Sequence, residues 1–475
     1  MTSRKLWLLI LALVLVHAVL ASALPLVEDE AYYQMWASVP SAGYYDHPPM
    51  VAWLIAAGEA LFGPGNLGVR AASIGISVLV LLMTFRMGTV LGQDRNSGFR
   101  ASFYLAAMVP MAAFGFAATP DPASVLFWTA ASWALVEANS RRAPNWWLAV
   151  GLFAGLGVLS KFTNFFFGLA LLIWLFATRQ GRSWLRHWQV WAGALCGILV
   201  LVPFLLWNMH NGWVGFQRQF GRLGEAEGFS FLRVLTFWAS FAVLVTPLTF
   251  ALVARGIFRP RTPRADDPQV LIWLSAPLVL YLSYHAIKTT AGGQWLVPIF
   301  PSLAVLAASR TPPQGWLQKW AAPGGFLLSG ALMLVGFWPG HVIIPGHNAF
   351  TQGRGWRELR HEIARRMQAD DAVWIATDAY GLTAQLWHYM GKDVPVRSMT
   401  GRARYLFRPP FPKALCSKKG LFLSRTAFAG GVPYFRISRP EPGLIRHEGK
   451  TPLMRYYVAE VSHPLPAYAP ACAAP

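Results

Sequence analysis

The chain has 475 residues, of which 55% are hydrophobic and only 13% charged, with a formal net charge of +20. A soluble globular chain carries about 25% charged residues, so a string of soluble domains is excluded. The 22 Trp, 31 Phe and 14 Tyr exclude disorder, and three Cys exclude a disulfide scaffold. What remains is a polytopic membrane protein. Its excess of Arg lies between apolar runs, the pattern of loops facing an anionic inner leaflet, and no nucleic-acid partner is expected.

A hydrocarbon core takes about 20 apolar residues of helix. Apolar runs lie near 6–27, 69–91, 100–118, 122–138, 146–160, 162–178, 189–207, 231–254, 270–285, 293–308 and 318–338. They predict a mainly α fold, a polytopic helical membrane bundle of about 11 spans over residues 1–340. Arg4 and Lys5 precede the first run, and Pro25 follows it without a small-residue cleavage site, so it reads as a retained first helix. Lys and Arg crowd alternate loops: Arg95, Arg100, Arg141, Arg142, Arg179, Arg182 and Arg255 fall on one side. Lys161, Arg218, Arg222 and Lys288 fall on the other. The bias predicts a cytoplasmic N-terminus. With an odd number of spans, residues 341–475 then lie outside.

That last segment changes texture. Trp356–Met367 reads as an amphipathic Arg-rich helix, Ala372–Thr377 as a strand, Gly381–Tyr389 as a helix and Gly420–Ser424 as a strand. The expectation is a small α/β extracytoplasmic domain. Cys416 and Cys472 both fall in it, and whether they pair stays open, because no spacing rule bears on them. Cys196 sits in an apolar run and reads as a small core residue.

Acidic residues are scarce, which makes their positions informative. Glu28, Asp29, Glu30, Asp46 and Glu59 occupy the first external loop, 28–68, which has no Lys or Arg. Glu28 to Trp36 looks like a helix start, with carboxylates in the first turn where the helix dipole favours them. Asp29, Tyr32, Tyr33 and Trp36 share a face at i, i+3, i+4 and i+7. The plain alternative is an acidic helix end beside an interfacial aromatic belt. Asp121, in Thr119-Pro120-Asp121-Pro122, is equally readable as an N-cap ahead of a helical Pro. The two carboxylates together say more than either: both stand at span ends on one face, where desolvation is costly without purpose. Between them, Tyr44-Tyr45-Asp46-His47-Pro48-Pro49 holds a His against a Pro-Pro stop.

These three motifs, in this order, resemble the C-type membrane glycosyltransferases that take sugars from polyprenyl phosphate. That family includes protein O-mannosyltransferases, the lipid A aminoarabinose transferase and lipopolysaccharide core galacturonosyltransferases. The resemblance covers the helix plan, the external C-terminal domain and motifs in the first 125 residues. It implies that Asp29 is the catalytic carboxylate, with Glu30 beside it and Asp121 in support. It implies a substrate-binding surface from Tyr32, Tyr33, Tyr45 and Asp46. Many members carry Lys where this chain has His47, which puts His47 at the donor phosphate. It also implies a multi-pass protein of a bacterial inner membrane with a periplasmic C-terminal domain. The partners are then a polyprenyl-phosphate-sugar donor, a glycolipid, glycan or protein acceptor, and the lipid bilayer.

A polyprenyl phosphate is a good leaving group and needs cations more than protonation. External cations are few, so Lys161, Arg218, Arg222 and Lys288 join His47 as donor phosphate-binding candidates. Arg218 and Arg222 are also readable as a solvated face. No cofactor is required by this chemistry. A divalent metal held by Asp46, His47, His210 and His285 stays open, with no decisive spacing. There is no Asp-x-Asp pair and no Walker loop, and the His361-Glu362-Ile363-Ala364-Arg365 run lacks a zinc-protease second His. The rival readings are a lipid or sugar transporter or flippase and an inert envelope scaffold. Transporters put charge near the midplane, often in repeated halves, whereas the charges here gather at span ends.

Overall fold

The computed structural model describes residues 2–221, 228–259, 267–312, 314–337, 349–391, 393–428 and 431–472. The chain divides into two compact units, residues 1–21 with 46–334, and residues 22–45 with 335–475. The Glu28–Ala37 helix therefore folds with the C-terminal part of the chain. The boundary expected near 340 falls outside the described residues.

The first unit is helical. Thr2–Ala23, Asn66–Gly92, Trp188–His210 and Gln269–Lys288 are long and apolar enough to cross a membrane. Phe231–Val245 and Pro247–Phe258 make a fifth if counted as one span, bent by 100° at Thr246. Shorter apolar helices include Met50–Phe62 and Trp146–Val158. Trp188–His210 exposes Trp188, Trp191, Leu195, Ile198 and Leu199, as a lipid-facing helix must. The run expected at 100–118 is broken: Met108 is extended, Pro110 starts a new helix, and Arg95–Ala107 gives way to Val109–Phe114. Glu137 is buried on Pro120–Arg141 and accepts from Arg86 Nε at 2.5 Å, Arg141 Nε at 2.6 Å and Trp133 Nε1 at 3.1 Å. The Trp146–Val158 and Trp188–His210 helices approach through glycine. A Cβ added to Gly155 would stand 2.6 Å from the Gly197 carbonyl oxygen.

The second unit holds a five-stranded sheet: β1 Trp374–Thr377, β2 Val396–Ser398, β3 Gly420–Ser424, β4 Phe435–Glu448 and β5 Thr451–Pro464. The order is β2-β1-β3-β5-β4, with β1 parallel to β2 and β3, and β5 antiparallel to β3 and β4. β1 and β3 are buried along their whole length, as central strands of a covered sheet are. The Trp356–Ala369 helix buries Trp356, Leu359, Ile363 and Met367, its one apolar stripe, in a core with Ile375, Leu421 and Tyr456. Cys416 and Cys472 form a disulfide, and Cys196 is free.

Candidate active site

In the second unit the site grows from the first turn of Glu28–Ala37. Its three acids take three different jobs. Glu30 is buried and its Oε2 accepts the Val27 N–H at 3.1 Å, closing the helix end in a capping arrangement. Glu28 is buried and ion-paired with Arg425. Asp29 is exposed, and the Tyr380 hydroxyl donates to its Oδ1 at 2.9 Å. Burial, and then the Asp29 charge, raise the Tyr380 phenol well above its ordinary value, so it stays a donor. Burial works against the Arg425 charge, but Glu28 holds that guanidinium above its usual range.

An aromatic floor supports this turn. Tyr32 and Tyr33 meet Trp36 at ring-centroid distances of 4.9 and 5.0 Å, and Trp36 stacks on Tyr44 at 4.3 Å. Tyr32 and Tyr33 are buried, so they shape the floor. Tyr45 lies under the Arg404 guanidinium, 5.5 Å from its ring centre, and Arg404 also covers Tyr380 at 4.6 Å. The Tyr32 hydroxyl donates to the Arg404 carbonyl at 3.2 Å.

In the first unit Lys161 Nζ donates to Asp121 Oδ1 at 2.6 Å. Asp121 lies in the first turn of Pro120–Arg141, whose N-cap is Thr119. Asp121 itself is thus inside the helix. Lys161 is fixed by a Phe162–Asn164 turn, which Asn164 ties back to the Pro120–Arg141 helix by donating to the Ser124 carbonyl at 3.1 Å. Asp46 is 3.5 Å from Arg218 Nε, and its carbonyl accepts from Gln219 Nε2 at 2.6 Å. His47, next to Asp46, is half-buried. Lys288 is exposed, its ammonium 4.9 Å from the centre of the Tyr284 ring. Arg222 lies outside the described residues.

Among the described residues the group of three carboxylate or imidazole side chains close enough to hold a metal is Asp370, Glu441 and Glu460. Asp46, His47, His210 and His285 do not gather in that way, and His210 Nδ1 lies 2.7 Å from the Leu206 carbonyl of its own helix. Sequence reasoning missed Tyr380, Arg404 and Arg425. Each lies more than 350 positions from its partner on the Glu28–Ala37 helix, and no local spacing carries such a signal.

Residues 46–207 match the family model described as dolichyl-phosphate-mannose-protein mannosyltransferase. Over 442 residues, 89% of this chain and 91% of the relative, the sequence is 26% identical to the lipid A galacturonosyltransferase RgtD of Rhizobium johnstonii. Over 183 residues it is 30% identical to the undecaprenyl phosphate-alpha-4-amino-4-deoxy-L-arabinose arabinosyl transferase of Pseudomonas aeruginosa. That match covers 36% of this chain and 32% of the relative. The crystal structure of ArnT from Cupriavidus metallidurans bound to undecaprenyl phosphate shares the fold, with a TM-score of 0.62 at 15% identity over 95% of this chain and 97% of that one. The chain is thus similar to a dolichyl-phosphate-mannose-protein mannosyltransferase family over residues 46–207 and to a lipid A galacturonosyltransferase over nearly its whole length, and it shares the fold of ArnT.

Proposed function

We propose that this protein transfers a sugar from a polyprenyl-phosphate donor to lipid A or a related envelope glycan, with Asp29 as the general base. The carrying observation is the exposed Asp29 carboxylate, oriented by Tyr380 at 2.9 Å while its two acidic neighbours are committed to structure. The relatives support the substrate classes. One is named for galacturonosyl transfer to lipid A and another for an undecaprenyl-phosphate aminoarabinose donor. Both are named as transferases.

In the reaction the acceptor oxygen forms a bond to the anomeric carbon from the face opposite the phosphate. The bond from that carbon to the phosphate oxygen breaks, and the configuration inverts. The acceptor proton passes to Asp29 Oδ as the new bond forms. The leaving polyprenyl phosphate carries the electron pair, and His47, Lys161, Arg218 and Lys288 are assigned to its charge. Asp121 keeps Lys161 in place. Glu30 is assigned to the helix end rather than to the chemistry, because its carboxylate already caps Val27. No metal is assigned a role, since the leaving group departs as a phosphate stabilised by side-chain cations.

The same reading assigns about 11 spans to residues 1–340, counting short and bent helices as crossings. It puts the N-terminus in the cytoplasm and the 341–475 domain in the periplasm of a bacterial inner membrane. The Cys416–Cys472 disulfide supports an oxidising compartment for that domain. The test is purified protein with labelled polyprenyl-phosphate galacturonic acid or aminoarabinose and lipid A as acceptor. Wild type yields labelled lipid A and free polyprenyl phosphate, and Asp29→Asn loses a factor of about 10² to 10⁴ in kcat. Undiminished turnover by the Asn variant moves the base elsewhere.

A further inference from the structure

The second unit carries a second charged feature that the transfer chemistry leaves unused. Gly401, with φ of 61°, turns the chain out of β2 into a tight helical turn, Arg402–Tyr405. The strand carries Arg397, the turn carries Arg402 and Arg404, and Arg408 follows three residues after it. Arg397, Arg402 and Arg408 have no carboxylate partner among the described residues. The Arg402 and Arg408 guanidinium groups are held by main-chain oxygens instead. Arg402 donates to the Tyr405 carbonyl at 2.9 Å and the Arg408 carbonyl at 3.3 Å, and Arg408 to the Val396 carbonyl at 3.2 Å. The Arg397 Nε is buried and meets no acceptor among the described residues.

Such an arrangement is costly when empty. Burial, and then the charge of Arg402, pull the Arg397 guanidinium below its ordinary value. Burial, and then Arg397, push Arg408 down to about 10. Desolvated like charges without a counter-ion are unfavourable unless an anion joins them. Guanidinium forks suit phosphate oxygens in pairs, and forks already fixed by carbonyls lose little freedom on binding. The cluster also touches the base. Arg404 lies over Tyr380, whose hydroxyl bonds Asp29, and the neighbouring Tyr405 ring packs on Tyr32 at 6.4 Å.

We infer that Arg397, Arg402, Arg404 and Arg408 form a seat for a phosphate group of the acceptor, which sets the acceptor hydroxyl against Asp29. The inference rests on the transfer reading and names the acceptor class within it: a phosphorylated glycolipid. The donor also carries phosphate, so the test separates the two sources.

Full-length protein in lipid nanodiscs is titrated with an acylated glucosamine disaccharide carrying phosphate and with its phosphate-free counterpart. Binding and transfer are read separately. Wild type binds the phosphorylated lipid about tenfold or more tightly than the phosphate-free one, the span of one or two charge-assisted hydrogen bonds. Arg397→Gln and Arg402→Gln lose most of that preference and raise the acceptor KM to match. Their donor KM stays within about twofold of wild type, their melting temperature is unchanged, and Arg402→Lys recovers part of the preference. Equal affinity of wild type for the two lipids overturns the seat. A rise in donor KM with the acceptor KM unmoved overturns the acceptor assignment and gives the arginines to the donor phosphate. Phosphate discrimination without sugar transfer from any donor would keep the seat and remove the transfer reading. Normal transfer without discrimination would do the reverse.

Discussion

Glu28 and Arg425, 397 positions apart in the chain, form an ion pair beneath the turn that carries Asp29. Their side chains are 7% and 22% exposed, so neither charge is freely hydrated if the other is removed. Truncating one partner of such a pair costs on the order of 3 kcal/mol, mostly from the stranded charge. Glu28→Gln should therefore lower the melting temperature clearly, and protease should reach the second unit sooner. Gly381→Ala should act in the same direction, because a Cβ there would collide with the Glu28 carboxylate.

On the proposed mechanism, removing the hydroxyl that donates to Asp29 should cost rate more than binding. Tyr380→Phe deletes one hydrogen bond worth about 0.5–1.5 kcal/mol, so kcat should fall about two- to tenfold with acceptor KM little changed. The Tyr380 phenol is raised by burial and by Asp29. Its neutral form therefore persists above the ordinary tyrosine value of about 10. The wild-type rate should show no alkaline limb from Tyr380 between about pH 8 and 10. A limb there that vanishes in the Phe variant would contradict its place beside the base.

Lys161 and Asp121 should behave as a unit. Lys161→Gln should raise the donor KM about tenfold, the loss of one charge-assisted contact to phosphate. Asp121→Asn should raise it less, by loosening Lys161. The double variant should be no worse than Lys161→Gln alone. Additive losses in a double-mutant cycle on kcat/KM would show that the two act independently.

Asp378 gives a prediction with a definite sign in pH. Burial raises its carboxyl despite the Ser424 hydroxyl donating at 2.7 Å. The folded chain then holds that proton more tightly than the unfolded chain. The associated stability is present below the unfolded value of about 4 and is lost as pH rises through the folded value. Asp378→Asn should melt above wild type at pH 7, and the advantage should disappear at about pH 4 and below. Thermal scans at the two pH values check it, and an advantage that grows in acid would refute it.

What was legible in the sequence was local. The acidic first turn of Glu28–Ala37, the apolar stripe of Trp356–Ala369 and the short apolar strand Gly420–Ser424 follow from periodicity and caps. The β4–β5 hairpin was not legible. Its first strand carries Pro440, Pro442 and a run of exposed polar residues, which reads as loop. β4 lies at the sheet edge, where a missing N–H and a solvated face are tolerated. The site divides in the same way. The carboxylates were visible because acids are rare in this chain. Tyr380, Arg404 and Arg425 were not, because arginine and tyrosine are common and their partners lie far off in sequence. Glu30 reads as chemistry from its neighbour Asp29, while its carboxylate accepts the Val27 N–H at the helix end, a side-chain direction that composition does not carry.

The Glu28–Ala37 helix is made early, yet its buried partner Arg425 is made late. At about 5–20 residues per second, roughly 20 to 80 s separate the two during synthesis on the ribosome. The Asp29 turn therefore waits for nearly the whole polypeptide before its ion pair closes. A premature stop upstream of Arg425 should leave the early helices without this ion pair, so that the turn carrying Asp29 stays unanchored in the truncated chain.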